Sequence, residues 1–235
     1  MPTAHKCVLA SSPPRRRSHR GAFRGTELRA RMPQLNKPAA IRAAVVLCVL
    51  AAIEGGFVLA YPDAWLSAAF RHAANVSFVA WIAAAIVTAG YIFYSIRGLP
   101  TVAALLGRLS PYKLLALVIA IPSSIVEEVF FRGSLMNLVA TRHQNVAVQI
   151  LASGIAFGIV HSFWGIRGGL SAVYGAVRSA TLLGLGLAVV FVIAERIVFP
   201  CVLAHFTINL VLEPWLLYAY VLRAQSKRSS LGTLV

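Results

Sequence analysis

Between Ile41 and Leu222 the chain is a succession of apolar stretches. Most are about as long, at the 1.5 Å rise of an α-helix, as a bilayer's hydrocarbon core is thick. Inside lipid no water is available to a backbone N–H or C=O, so spanning segments must satisfy these groups internally. The stretches run Ile41–Ala60, Val76–Ile96, Leu114 to about Ala140, Val146–Phe163, Ala180–Ala194 and Val198–Leu222. Glu54-Gly55-Gly56 is expected to interrupt the first, and Pro122 can kink the third. Apolar residues make up 59% of the chain and charged residues 12%, against roughly 45–50% and 25% in soluble domains. The expected fold class is all-α, a polytopic membrane helical bundle of about six spans around a buried polar cavity.

The formal charge of +15 lies mostly outside these stretches. It gathers in Arg15-Arg16-Arg17, Arg20, Arg24, Arg29 and Arg31, at Lys37 and Arg42, and again at Arg223, Lys227 and Arg228. Basic residues flanking spans mark cytoplasmic ends and attract anionic lipid. Both termini are therefore expected in the cytoplasm, with membrane lipid as a partner and no nucleic acid. The expected organisation is a basic, disordered tail over 1–36, N-terminal membrane helices over 37–112, a catalytic membrane core over 113–222 and a short basic tail over 223–235. Translation starting at Met32 would account for the tail as well. Compact size and an Ala/Arg-rich composition point to a bacterial cell membrane. Cys7, Cys48 and Cys201 lie far apart with no CxxC spacing and read as inert packing residues.

Against this background, the third stretch places Glu127 and Glu128 side by side. A carboxylate at membrane depth costs at least about 2.5 kcal/mol, so a pair marks a functional site. On a helix Glu128 and Arg132 stack on one face as an ion pair, while Glu127 points about 100° away toward a cavity. There it can take a proton from water. His161, in Phe157-Gly-Ile-Val-His161, can orient or deprotonate the same water. His205 and Asn209 are also four residues apart, and their N–H groups directed at one point would stabilise an oxyanion. Together these parts suit amide hydrolysis. A divalent ion such as zinc, held by Glu127, His161 and His205, would activate water equally well, and the spacing leaves both chemistries open. The His-Glu-x-x-His helix of many zinc peptidases is absent.

Glu-Glu-x-x-x-Arg, Phe-x-x-x-His and His-x-x-x-Asn, in this order on successive apolar stretches, resemble the CPBP family of intramembrane proteases. That family includes the type II CAAX prenyl endopeptidases, the lysostaphin-resistance protein A-like proteins and bacteriocin-processing or immunity proteins. The resemblance covers about residues 113 to 213. It implies an all-helical membrane fold and cleavage of a peptide bond in a membrane-associated protein or peptide, prenylated in the CAAX case. It also implies that Glu127 with His161 activates water, that His205 with Asn209 holds the oxyanion, and that Glu128 and Arg132 complete the first motif, Arg132 as a structural residue. No cofactor follows with certainty, because the family has been described both as metal-dependent and as glutamate-based. Two other functions share these residues: a non-catalytic scaffold or bacteriocin-immunity-type protein on the same fold, and a proton-coupled transporter. A transporter would more often show two similar halves, and no internal repeat is present. Simple alternation of spans sets His161 at a different depth from Glu127 and His205. A shared site therefore requires tilted, staggered helices or a misplaced boundary near Gly165–Ser179.

Overall fold

A computed structural model describes residues 37–99, 102, 103, 106 and 111–212. Both terminal tails, and residues 213–222 of the sixth stretch, lie outside the described residues. Helix α1 (Lys37–Ala60) leads into α2 (Pro62–Phe70) and a 3-10 turn at Ala73–Asn75, and α3 covers Phe78–Gly98. Helix α4 (Pro111–Glu128) runs directly into a π-helix at Val129–Met136 and then α5 (Asn137–Arg142). Helix α6 (Val146–Val160) tightens into a 3-10 segment at His161–Gly168, α7 covers Leu170–Ile193, and α8 covers Phe199–Leu212. No strand occurs among the described residues.

Local chemistry sets several of these ends. Ser77 accepts the Ala80 amide at the start of α3, and Asn145 Oδ1 accepts the Ala147 amide at the start of α6. These side chains satisfy N–H groups that the first turn leaves without partners. Pro62 opens α2, where its missing N–H costs nothing.

Three described helical stretches are long and apolar enough to cross a bilayer: Phe78–Gly98, Val146–Ile166 and Leu170–Ile193. A fourth is reached if Ala44–Ala60 and Pro62–Asn75, bent by 92°, count as one span. Large apolar side chains such as Ile86, Phe93, Leu151, Ile159 and Leu182 are exposed on the helix exteriors. Apolar exteriors suit lipid, and the chain is a membrane protein with a helical bundle.

Two boundaries differ from the sequence expectation. Glu54-Gly55-Gly56 does not break α1, which stays helical from Lys37 to Ala60. A glycine inside a helix costs only about 1 kcal/mol, too little to end it. The fifth stretch begins at Leu170, ten positions before Ala180. Its polar residues are accommodated because α3 supplies partners: Tyr91 Oη lies 2.9 Å from Ser179 Oγ, and Arg178 donates to Tyr94 Oη at 3.2 Å.

Helices α6 and α7 form an extensive contact. Gly154 and Gly158 make it possible, since a methyl group at Gly158 would stand 1.9 Å from Thr181 Oγ1 and 2.8 Å from the Val177 carbonyl oxygen. At Gly154 it would lie 2.9 Å from the Leu185 amide nitrogen. The spacing of small residues thus lets two backbones touch. The contacts 154 with 185, 158 with 181 and 165 with 173 run in opposite senses, so the helices are antiparallel. Gly158→Ala is expected to destabilise the protein by about 1–3 kcal/mol through overpacking, read as a lower thermal midpoint in detergent. Adding Thr181→Ala should recover only part of the loss, because the Val177 carbonyl is backbone. Full recovery would show that the helices can simply move apart.

Candidate active site

The site begins where α4 ends. Consecutive residues point about 100° apart on a helix, and this separates the two carboxylates. Glu128 is fully buried, whereas the Glu127 side chain keeps 19% of its exposure. After Glu128 the backbone widens into the π-helix, a rare form that often marks functional sites.

Glu128 organises a buried charge cluster. Arg132 Nη1 donates to Glu128 Oε1 at 3.0 Å, and Arg132 Nη2 donates to the Gly184 carbonyl at 2.8 Å. His205 Nδ1 lies 2.7 Å from the same Glu128 oxygen. A carboxylate oxygen accepts, so Nδ1 carries the hydrogen, as in acid-histidine pairs whose carboxylate fixes the tautomer and supports an imidazolium. Arg132 also stands over the Phe157 ring, 4.9 Å from its centroid. The guanidinium thus meets a carboxylate, a carbonyl and a π-face, while its Nε has no hydrogen-bond partner in the protein.

A second, more open layer lies beside it. His161 Nε2 is 3.5 Å from Glu127 Oε2, and the His161 side chain keeps 21% of its exposure. His161 Nδ1 donates to the Phe157 carbonyl at 2.8 Å. With its hydrogen committed there, a neutral His161 presents the Nε2 lone pair toward Glu127. Ser123 Oγ donates to Glu127 Oε1 at 3.0 Å, and Asn209 Nδ2 reaches Ser123 Oγ at 3.5 Å. Glu127 Oε2 has no hydrogen-bond partner in the protein.

Phe157 joins the layers. Its ring stacks on His161 at 4.3 Å between centroids and meets His205 at 5.6 Å and Phe131 at 5.1 Å, both edge to face. The Phe-x-x-x-His pattern therefore has a physical content. One residue supplies the carbonyl that orients a histidine and the ring that spaces it from the other.

All seven residues singled out in the sequence converge: Glu127, Glu128, Arg132, Phe157, His161, His205 and Asn209. The Glu128–Arg132 ion pair forms as the four-residue spacing predicts. His161 and Glu127 meet although simple alternation of spans sets them at different depths. Ser153 Oγ donates to the Phe131 carbonyl at 3.1 Å, which sets the π-helix beside the middle of α6, with Glu127 on the His161 side of that contact. Two features were not foreseen: the bond from His205 to Glu128, and Ser123. The second was detectable, since Ser123 precedes Glu127 by four residues, the same spacing that pairs Glu128 with Arg132.

Catalytic zinc takes three protein ligands and leaves a position for water. Here Glu127 and His161 face each other, while His205 gives Nδ1 to Glu128 and keeps Nε2 free. Among the described residues no group of three His, Cys, Asp or Glu side chains stands where it could hold a metal ion. As placed, the described side chains do not form a three-ligand centre.

Residues 109–211 match the family model for type II CAAX prenyl endopeptidase Rce1-like proteins, a match consistent with a CPBP family protease. The matched segment contains every residue of the site. No curated protein and no solved structure matches the chain.

Removing one partner of a buried ion pair typically costs about 3–5 kcal/mol, because the remaining charge is left uncompensated. Arg132→Ala is accordingly expected to cause a large fall in thermal midpoint and folded yield. The paired change Glu128→Leu with Arg132→Met should restore only part of that stability, because His205 Nδ1 and the Gly184 carbonyl lose their partners. If Arg132→Ala is as stable as wild type, the cluster is not the structural keystone that its burial indicates.

Proposed function

We propose that this chain, which carries an Rce1-like region over residues 109–211, is an intramembrane endopeptidase. Its substrate would be a membrane-associated protein or peptide, with the CAAX type, cleaved beyond a prenylated C-terminal cysteine, as the favoured class. One observation carries the mechanism. The part-buried Glu127 side chain turns its buried, unpartnered Oε2 toward a histidine lone pair, His161 Nε2, beside a buried carboxylate-histidine pair.

In this mechanism His161 Nε2 accepts a hydrogen bond from a water and holds it against Glu127. The carboxylate takes the other proton as the oxygen attacks the peptide carbonyl. Negative charge on the carbonyl oxygen is met by Asn209 Nδ2 and by His205. With Nδ1 given to Glu128, His205 offers an Nε2–H only as imidazolium. Glu127 then returns its proton to the leaving amine, which restores the carboxylate. Every step uses side chains of the chain itself. Phe157 keeps the two histidines in separate roles, and Arg132 holds Glu128 rather than touching the substrate. The basic residues that flank the apolar stretches support a cytoplasmic position for both termini, and the compact size and Ala/Arg-rich composition support a bacterial membrane.

Comparison of new peptide termini in membranes carrying wild-type or Glu127→Ala protein, at matched abundance, tests this directly. General-base catalysis contributes about a hundredfold or more, so termini produced by the wild type should nearly vanish in the variant, and His161→Ala should reduce them strongly. A divalent-metal chelator should leave the wild-type profile unchanged. Identical profiles for wild type and Glu127→Ala would favour a non-catalytic scaffold, and ablation by chelator would overturn the metal-free mechanism.

A further inference from the structure

We propose that Ser123 is a positioning residue that fixes which oxygen of Glu127 receives the proton and couples this carboxylate to Asn209. The assignment rests on the peptidase function proposed above. Ser123 is buried, 5% exposed, and lies one helical turn before Glu127 on α4. A serine hydroxyl has a single hydrogen and can accept through its lone pairs. Toward an ionised carboxylate it can only donate, so its hydrogen is committed to Glu127 Oε1 at 3.0 Å. Toward Asn209 it can therefore only accept, and the 3.5 Å contact with Nδ2 has that polarity. This orients the carboxamide with its N–H₂ group inward. One of its hydrogens goes to Ser123, and the second remains for an oxyanion.

The same bond divides the carboxylate. Oε1 is occupied by Ser123, while Oε2 has no protein partner and is the oxygen 3.5 Å from His161 Nε2. The proton released by water goes to Oε2 as the new C–O bond forms. It leaves from Oε2 to the amine nitrogen as the C–N bond breaks. Throughout, Oε1 accepts the Ser123 hydrogen bond, and Ser123 neither gains nor loses a proton. The hydroxyl thus prevents the carboxylate from rotating its basic oxygen away from the histidine, and it links the base to the oxyanion donor on α8.

The experiment uses the full-length chain in native membranes at matched abundance, with the yield of Glu127-dependent peptide termini over time as the readout. Ser123→Ala should lower that yield about tenfold, while Ser123→Thr, which keeps the hydroxyl, should stay within about threefold of wild type. Ser123→Ala and Asn209→Ala combined should cost less than the product of the single effects, because both break one linkage. This cycle adds no methyl group, so it reads the coupling even if threonine packs poorly. Wild-type yield in Ser123→Ala, or single effects that simply multiply, overturns the assignment while leaving the peptidase function standing. A wild-type chain that yields no Glu127-dependent termini overturns both.

Discussion

The structure depends on one buried carboxylate. Glu128 has no exposed surface, so its charge must be met by the protein, and three elements converge to do so. Arg132 comes from the π-helix, His205 from α8, and the carbonyl that holds the other arm of Arg132 from Gly184 of α7. In hydrocarbon the alternative to each contact is an unpaired polar group costing several kcal/mol. The cluster thus restricts how α7, α8 and the π-helix can be arranged more tightly than apolar packing alone, since lipid competes with apolar side chains on nearly equal terms. The close approach of α6 and α7 through Gly154 and Gly158 serves the same arrangement. It brings the Gly184 turn of α7 against α6, on the side of the bundle where Arg132 can reach its carbonyl.

Adjacency in sequence then produces a division of chemical labour in space. Because neighbouring helical residues diverge by about 100°, a chain that buries Glu128 must turn Glu127 elsewhere, here toward the more open layer shared with His161. Glu128 is enclosed and held through Oε1 by Arg132 and His205, which ties it to the structure. Glu127 is only part-buried and faces the His161 Nε2 lone pair, so it is the carboxylate placed to exchange a proton. The Glu-Glu pair is accordingly a structural anchor next to a reactive group, and Phe157 separates their histidines.

Much of this was legible in the sequence because it follows from periodicity. Four-residue spacing on helices sets Arg132 beneath Glu128 and Asn209 beneath His205, and polar residues in apolar stretches are costly enough to stand out. The contact of His205 with Glu128 was not legible, because it joins residues 77 positions apart through tertiary packing. The π-helix leaves no compositional trace in Val129–Met136. The start of α7 at Leu170 was hidden because Arg178 and Ser179 look like loop residues until Tyr94 and Tyr91 are seen to partner them. Glu54-Gly55-Gly56 misled for the opposite reason: residues that weaken a helix in isolation do not end one whose backbone has no better partner than itself.

The turn between α7 and α8 shows how the site's three supports are kept in register from a distance. Glu195 and Arg196 both have positive φ, 53° and 67°, a conformation that side chains other than glycine adopt at some cost. Arg196 compensates by bridging: Nη1 donates to Asn137 Oδ1 at 2.6 Å and Nη2 donates to Gln149 Oε1, while Gln149 Nε2 donates to the His143 carbonyl at 2.9 Å. Asn137 opens the helix that follows the π-segment, Gln149 lies in the first turn of α6, and Arg196 stands just before α8. The helices bearing Glu127, His161 and His205 are thus tied together about 14 Å along the α4–α5 rod from the carboxylates. A strained turn held by three polar bonds fixes where α8 begins, and with it the height at which His205 meets Glu128. The reactive layer can then stay partly open, because its geometry is set by the buried cluster beside it and by this clamp beyond it.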